Sequence, residues 1–303
     1  MSEDQWPYKD FKSGFAVIAG APNAGKSTLL NAMIGQKISI TSEKPQTTRN
    51  RISGILHGDK FQIVFVDTPG IHDSKKVFNR RIVELALSAM DDMDMILVVA
   101  DVARPDPAAE ELIVSKLKKR KQVPVILAVN KIDLVKGPAV LKQIDRWNNL
   151  LNFDAVVPVS AIKGIQISEL IGEMAARLPE GPPYFPKDAV TDMPERFITA
   201  EIIREKIFRL TGQEIPYSSA VTIEEFSVDS SSGLVHIRAI IHVERNSQKG
   251  IIIGKKGSML KKIGTEARLD IERLVGNRVF LELFVRVEKN WSKDTRALRR
   301  LGY

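Results

Sequence analysis

The sequence predicts two unlike domains in series: an α/β domain built on a doubly wound, mostly parallel sheet, followed by a smaller α+β domain. Three observations lead there. Over roughly the first 180 residues, short apolar runs bounded by turn signals alternate with amphipathic stretches, the pattern of repeated βα units. Leu178–Glu195, "LPEGPPYFPKDAVTDMPE", then places five prolines in eighteen residues with no sustained apolar period, which reads as a linker. Beyond it the alternation gives way to helix, strand, strand, helix, helix, strand. The expected boundaries are 1–180 for the first domain, 181–194 for the linker and 195–303 for the second.

Each element has a local reason. "FAVIA" from Phe15, "FQIVFVD" from Phe61, "MILVVAD" from Met95, "VPVILAVN" from Val123 and "AVVPVS" from Ala155 are continuous apolar runs of strand length, as expected of strands buried on both faces. "FNRRIVELALSAM" and "AAEELIVSKLKKR" carry helical periodicity between them. In the second domain, "ERFITAEIIREKIFRLTG" reads as a helix ended by Gly212. "AVTIEEFSV" and "LVHIRAIIHVE" read as strands joined by the turn "DSSSG". A long helical stretch interrupted at Gly254–Gly257 follows, and "RVFLELFVRVE" alternates as a last strand.

Composition excludes several function classes. Without cysteine among 303 residues there is no disulfide, no thiolate catalysis and no Cys-ligated metal, which suits a reducing cytosol. The N-terminal "MSEDQWPYKDFKSG" is charged and lacks the apolar core of a secretory signal. Apolar runs fall far short of the roughly 20 residues that span a bilayer, so a cytoplasmic location is expected. Histidines 57, 72, 236 and 242 show no metal spacing. The net charge of +8 is unevenly placed: Arg245–Tyr303 holds 15 Lys and Arg against 6 Asp and Glu, a net +9 in the C-terminal part alone. Basicity of that kind suits a polyanionic partner once a motif accompanies it.

"GAPNAGKS", Gly20–Ser27, matches G-x-x-x-x-G-K-[ST] directly after a predicted strand and before a predicted helix. Gly20 and Gly25 let backbone amides approach phosphate oxygens, Lys26 neutralises β and γ oxygens, and the Ser27 hydroxyl suits Mg²⁺. The loop residues Gly20, Ala21, Pro22, Asn23, Ala24, Gly25, Lys26, Ser27 and Thr28 form the candidate phosphate site. "DTPG", Asp67–Gly70, ends another strand; Asp67 would hold Mg²⁺ through water and the Gly70 amide would sense the γ-phosphate. "NKID", Asn130 and Lys131 through Asp133, places a carboxylate that can accept from guanine N1–H and its exocyclic amine, donors adenine does not present together. "SAI" follows the last strand and brings Ser160 and the Ala161 amide to guanine O6.

These four motifs, in order on successive strand ends, resemble the P-loop GTPases. "KPQTTRNR", Lys44–Arg51, looks like the effector loop of the translation-factor-related branch of that family. The resemblance implies that Thr48, with Thr47 as the alternative, joins Ser27 and Asp67 as an Mg²⁺ ligand only with GTP, and that ordering of this loop is the switch. It leaves Asn23 with two readings, a turn cap or a ligand of a K⁺ ion bridging the phosphates. Lys26, Thr48, Gly70 and Asn23 are the candidate catalytic residues. Ile71 stands after "DTPG" and cannot orient an attacking water as the glutamine of Ras does, so slow intrinsic GTP hydrolysis to GDP is expected.

"IIIGKKG" is too short for a second phosphate loop of that type. It fits the G-x-x-G loop of a KH domain, whose glycines let the backbone press on a nucleic-acid strand of about four nucleotides. Lys255 and Lys256, between Gly254 and Gly257, would meet phosphates. Ile251, Ile252 and Ile253 offer an aliphatic floor, and Lys261 extends the basic edge. The element order around the loop resembles the type II KH fold. In the tail, Trp291 and Tyr303 among basic residues could stack on RNA, or the tail could be a solvated helix; the RNA role is expected.

One such GTPase domain followed by one KH domain resembles the Era family of bacterial GTPases over nearly the whole chain. The resemblance implies a GTP/GDP switch with Mg²⁺ that binds the 3′ end of small-subunit ribosomal RNA and the immature small ribosomal subunit. It implies a role in ribosome biogenesis, with GTP favouring RNA binding. It also implies peripheral contact with the inner face of the cell membrane; a monomer is expected. A GTPase acting on another RNA, and a membrane switch with a lipid-binding basic tail, are the alternatives.

Overall fold

A computed structural model describes residues 9–41, 52–67, 93–118, 123–212, 215 and 219–291, together with 294, 297, 300 and 301. The chain divides into two compact units, Met1–Asp192 and Met193–Tyr303.

In the first unit the described elements are β1 (Lys12–Gly20), α1 (Lys26–Ile34), β2 (Ile52–His57), β3 (Phe61–Asp67), β4 (Met95–Asp101), α2 (Pro107–Leu117), β5 (Val125–Asn130), α3 (Gly137–Leu150), β6 (Ala155–Pro158) and α4 (Ile167–Ala176). The six strands form one sheet in the order β2-β3-β1-β4-β5-β6. β2 pairs antiparallel with β3, and every other pairing is parallel. The doubly wound reading of the sequence holds. One face packs Leu29, Leu30 and Met33 of α1 with Leu170 and Met174 of α4; the other packs Ile113 and Val114 of α2 with Trp147 of α3. β1 and β4 are buried along most of their length, which is why they read as uninterrupted apolar runs rather than alternating ones.

The proline-rich stretch is laid along the first unit. Gln62 on β3 is fully buried: its Oε1 accepts from the Tyr184 and Phe185 amides at 2.7 and 3.0 Å, and its Nε2 donates to the Phe185 carbonyl at 2.8 Å. The Ile55 amide donates to the Val190 carbonyl, and Thr191 Oγ1 donates to the Ser53 carbonyl at 2.6 Å. A side-chain amide supplies both a donor and an acceptor to a segment whose prolines cannot complete a ladder. β2, an edge strand, is thereby covered by residues 190–191.

The second unit contains α5 (Glu195–Leu210), β7 (Ser219–Val228), β8 (Val235–Val243), α6 (Asn246–Ile253), α7 (Ser258–Val275) and β9 (Val279–Val287). β7 and β8 are antiparallel, β8 and β9 parallel, in the order β7-β8-β9, so β9 is an edge. One face of this sheet buries Ile237, Ala239 and Ile241 against Ile202 of α5 and Ile263 and Ile271 of α7. On the opposite face, Trp291, Ala297 and Leu301 pack on Ala220. Among the described residues no helix is long and apolar enough to cross a membrane.

Candidate functional site

The phosphate loop leaves β1 at Gly20 and enters α1 at Lys26. Gly25 sits just before the helix at φ 96°, and a Cβ there would lie 2.3 Å from Asn130 Nδ2, so glycine is required by conformation and by space. No side chain caps α1, which leaves its first-turn amides directed at whatever lies beyond the loop. Lys26 is buried. Its Nζ donates to the Gly20 and Ala21 carbonyls at 3.1 and 2.9 Å, so the ammonium bridges the loop. Burial pushes its pKa down to about 8, against the pull of the Asp67 carboxylate.

Ser27 and Asp67 arrive from α1 and the end of β3. Ser27 Oγ donates to Asp67 Oδ2 at 2.7 Å. A hydroxyl and a buried carboxylate converging beside a phosphate loop are the hard-oxygen donor set that Mg²⁺ takes when it shares a site with nucleotide phosphates, so these residues fit that ion. Ser39, fully buried, also donates to Asp67 Oδ2, at 2.8 Å. Asn31 on α1 fixes Ser39 in turn: its Oδ1 accepts from the Ile38 and Ser39 amides at 3.0 and 2.9 Å, and its Nδ2 donates to the Ser39 carbonyl at 2.7 Å. The sequence reading missed Ser39 and Asn31. Thr47, Thr48, Gly70 and Ile71 lie outside the described residues.

Asn130, at the end of β5 and almost wholly buried, joins the loops. Its Nδ2 donates to the Ala24 carbonyl at 2.9 Å, and its Oδ1 accepts from the Ala161 amide at 3.1 Å. Lys131 follows in a left-handed conformation (φ 68°), and its Nζ donates to the Asn23 carbonyl at 2.7 Å and to Asp101 Oδ2 at 2.6 Å. Asp101, the last residue of β4, is itself set by accepting from the Ala103 and Arg104 amides. It was also missed, and its place after "MILVVA" at a strand end was the available signal. Asn23 is exposed at the loop tip with φ 62°, a conformation asparagine tolerates better than most residues. Asp133 is exposed on a short turn after β5 and accepts from Ser160 Oγ at 2.6 Å. Gly20–Ser27, Asp67, Asn130, Lys131, Asp133, Ser160 and Ala161 thus surround the carboxyl ends of β1, β3 and β5 and the loop after β6, where ligands of such sheets bind.

In the second unit, α6 ends at Ile253, a single turn spans Lys255–Gly257, and α7 begins at Ser258. Gly254 takes φ 70° and ψ 177°, and a Cβ there would meet the Met259 amide nitrogen at 2.9 Å and its Cβ at 2.7 Å. The loop can therefore turn this sharply only with glycine. Lys255 and Lys256 are exposed. One expectation is corrected here: Ile252 is fully buried in the core with Ile263 and Ile271, because helical phase turns it inward. Ile251 is half exposed and Ile253 partly so. The apolar floor lies elsewhere, in a groove of about 420 Å³ between α7 and β9, where Gly257, Leu260 and Gly264 face Leu281 and Leu283. Lys261 and Arg268 give this groove its charge. A second correction concerns the tail. Trp291 is only 2% exposed, packed on Ala220, and has no face to offer a base. Tyr303 is outside the described residues.

Comparison with known proteins bears on both sites. The family model described as 50S ribosome-binding GTPase matches residues 15–131, and the KH domain model matches 214–292. The chain is 53% identical to the GTPase Era of Geotalea uraniireducens over 97% of its own length and 99% of that protein. It is 52% identical to the GTPase Era of Geobacter metallireducens over 97% and 98%. Among solved structures it is similar to a point variant of Aquifex aeolicus Era bound to GDP·AlF4⁻, with a TM-score of 0.90 and 41% identity over 97% of this chain and 99% of that one. A structure of Era with MgGDPNP and nucleotides 1506–1542 of 16S ribosomal RNA gives a TM-score of 0.87 at the same identity and coverage.

Proposed function

The chain belongs to the Era family of GTPases, and we propose that it is a GTP-hydrolysing switch whose second unit binds the 3′ end of small-subunit ribosomal RNA during assembly of that subunit. One observation carries the reading. The phosphate loop is keyed through Asn130 to the Ala161 loop, and a separate unit holds a groove lined by Gly257, Lys261 and Arg268.

The chemistry follows from the residues in place. GTP phosphates take the amides of Gly20–Thr28 and the first turn of α1. Lys26, whose Nζ is held at the loop by the Gly20 and Ala21 carbonyls, brings its positive charge to the β and γ oxygens, where fixed charge lowers a phosphoryl-transfer barrier. Mg²⁺, held by Ser27, Asp67 and in the GTP state Thr48, would neutralise charge on the β and γ oxygens. Asp133 accepts from guanine and Ser160 orients it, while Asn130 fixes the Ala161 amide beside guanine O6. The Gly70 amide reads the γ-phosphate, and Asn23 is the proposed site for K⁺. With Ile71 unable to activate water, turnover is slow until another component supplies that function.

In the second unit Lys255, Lys256 and Lys261 meet the RNA backbone while Ile251, Ile253, Gly254, Gly257 and the leucines of the groove meet bases and sugars. The immature small subunit is the proposed partner, the cytoplasm the proposed location, and contact with the inner membrane face a secondary association. Replacing Lys255 and Lys256 by glutamate tests the RNA assignment. The expected result is weaker RNA binding with a shallower salt slope and unchanged GDP affinity. Unchanged RNA affinity would remove the groove from this role.

A further inference from the structure

The outer face of the second unit's sheet carries an arrangement that neither GTP binding nor the groove uses. Phe280 and Phe284 are 51% and 50% exposed on one side of β9, about 13 Å apart along the strand at the usual rise per residue. The His236 ring lies against Phe280, with centroids 5.6 Å apart. Beside Phe284 opens a cleft of about 580 Å³ walled by Ile240, Arg238, Arg286 and Lys249. Both phenylalanine rings leave a large aromatic surface open to a flat partner.

Alternation along β9 ties this face to the groove. Leu281 and Leu283 point into the groove on the helix side, while Phe280 and Phe284 point to the other side of the same strand. Among the described residues β9 is an edge of the sheet, so a chain leaving the groove can cross it without meeting another described strand. Aromatic rings on a sheet surface stack successive bases of single-stranded RNA, and guanidinium planes do the same.

We propose that this face is a second single-stranded RNA subsite, in which Phe280 and Phe284 stack nucleotides that flank those held in the groove. The proposal rests on the groove being an RNA site. It also specifies the kind of affinity. Arg238 contacts Glu225 and Glu282, both at 3.4 Å, and Arg286 contacts Glu224 at 3.6 Å, so the charges of the face are largely balanced. Its contribution comes from stacking and depends little on salt, whereas the lysine-headed groove binds with a steep salt slope.

The test uses the full chain with a GTP analogue and two RNAs from the small-subunit 3′ end: a tetranucleotide that fills the groove, and a longer single strand extending it on both sides. The Phe280→Ala, Phe284→Ala double variant should lose about tenfold or more in affinity for the longer RNA and less than about twofold for the tetranucleotide, with the salt slope retained. Phe284→Tyr, which keeps the ring, should behave as the parent. Equal loss on both RNAs would overturn the proposal, because the damage would then lie in the groove. No loss on either would also overturn it and leave the face to a protein partner. The Lys255→Glu, Lys256→Glu variant separates the two readings: it should weaken both RNAs, and its failure to do so counts against the groove itself.

Discussion

Replacing Asn130 by alanine removes the residue through which the phosphate loop, β5 and the 160s loop hold one another. Two hydrogen bonds are lost, to the Ala24 carbonyl at 2.9 Å and from the Ala161 amide at 3.1 Å, at a position 2% exposed. Each leaves a buried backbone group without its partner, at about 1–3 kcal/mol apiece, so about 2–6 kcal/mol is expected in all. The geometry provides an internal check. Gly25→Ala in the parent places a methyl 2.3 Å from Asn130 Nδ2, in addition to the strain of φ 96°. In the Asn130→Ala background the clash is gone and only the backbone strain, about 1–2 kcal/mol, remains. The two changes should therefore be less damaging together than their sum by about 1 kcal/mol or more. Hydrogen exchange of β1 and β5 amides reads this in the first unit alone. GDP titration should show the same non-additivity. Additive penalties, or an Asn130→Ala variant of parental stability, would refute the keystone role.

Lys26 makes GDP affinity depend on pH. With its pKa pushed down to about 8 in the free protein, the ammonium is the major form at neutral pH and is lost above 8, so affinity should fall about tenfold per pH unit beyond that point; a flat profile from pH 7 to 9 in calorimetric titrations would exclude it. Ser39→Ala should raise the Mg²⁺ concentration needed to retain GDP several-fold, read as GDP release against Mg²⁺, while leaving release at saturating Mg²⁺ near parental. His242, buried beside Thr222 and Glu288, is held down to about 4 by burial and then by Arg286 and Arg300. Its ordinary value is near 6.5, so the unfolded chain binds the extra proton first, and stability of the second unit falls as the pH drops from 6.5 towards 4. Urea unfolding followed through Trp291 should show this loss, and His242→Gln should reduce it.

What the sequence made legible was local. The strand, loop and helix around Gly20–Ser27, the strand-end "NKID", and the helix break at Gly254–Gly257 each need only a few neighbouring residues to declare themselves. Asn31 and Ser39 could not be found that way, and for Asp101 the strand end marked the place but not the partner. Ser39 matters because it meets Asp67, 28 positions away, and Asp101 because it meets Lys131, 30 positions away. Ile252 could have been placed correctly, since helical phase alone puts one residue of three consecutive isoleucines inward. Trp291 could not, because its burial depends on Ala220 on a distant strand. The proline-rich segment read as a bare linker because it is held by hydrogen bonds to distant residues, the buried Gln62 side chain and the β2 backbone, rather than by an apolar pattern of its own.

A guanine-nucleotide switch joined to an RNA-binding unit should make RNA affinity depend on the nucleotide. Equilibrium binding of an oligonucleotide matching the small-subunit ribosomal RNA 3′ end, against a scrambled one, in GDP and in a non-hydrolysable GTP analogue, tests it most directly. Tight, sequence-selective binding with the GTP analogue and weaker binding with GDP are the expected result. Equal affinity for both RNAs in both nucleotide states would contradict it.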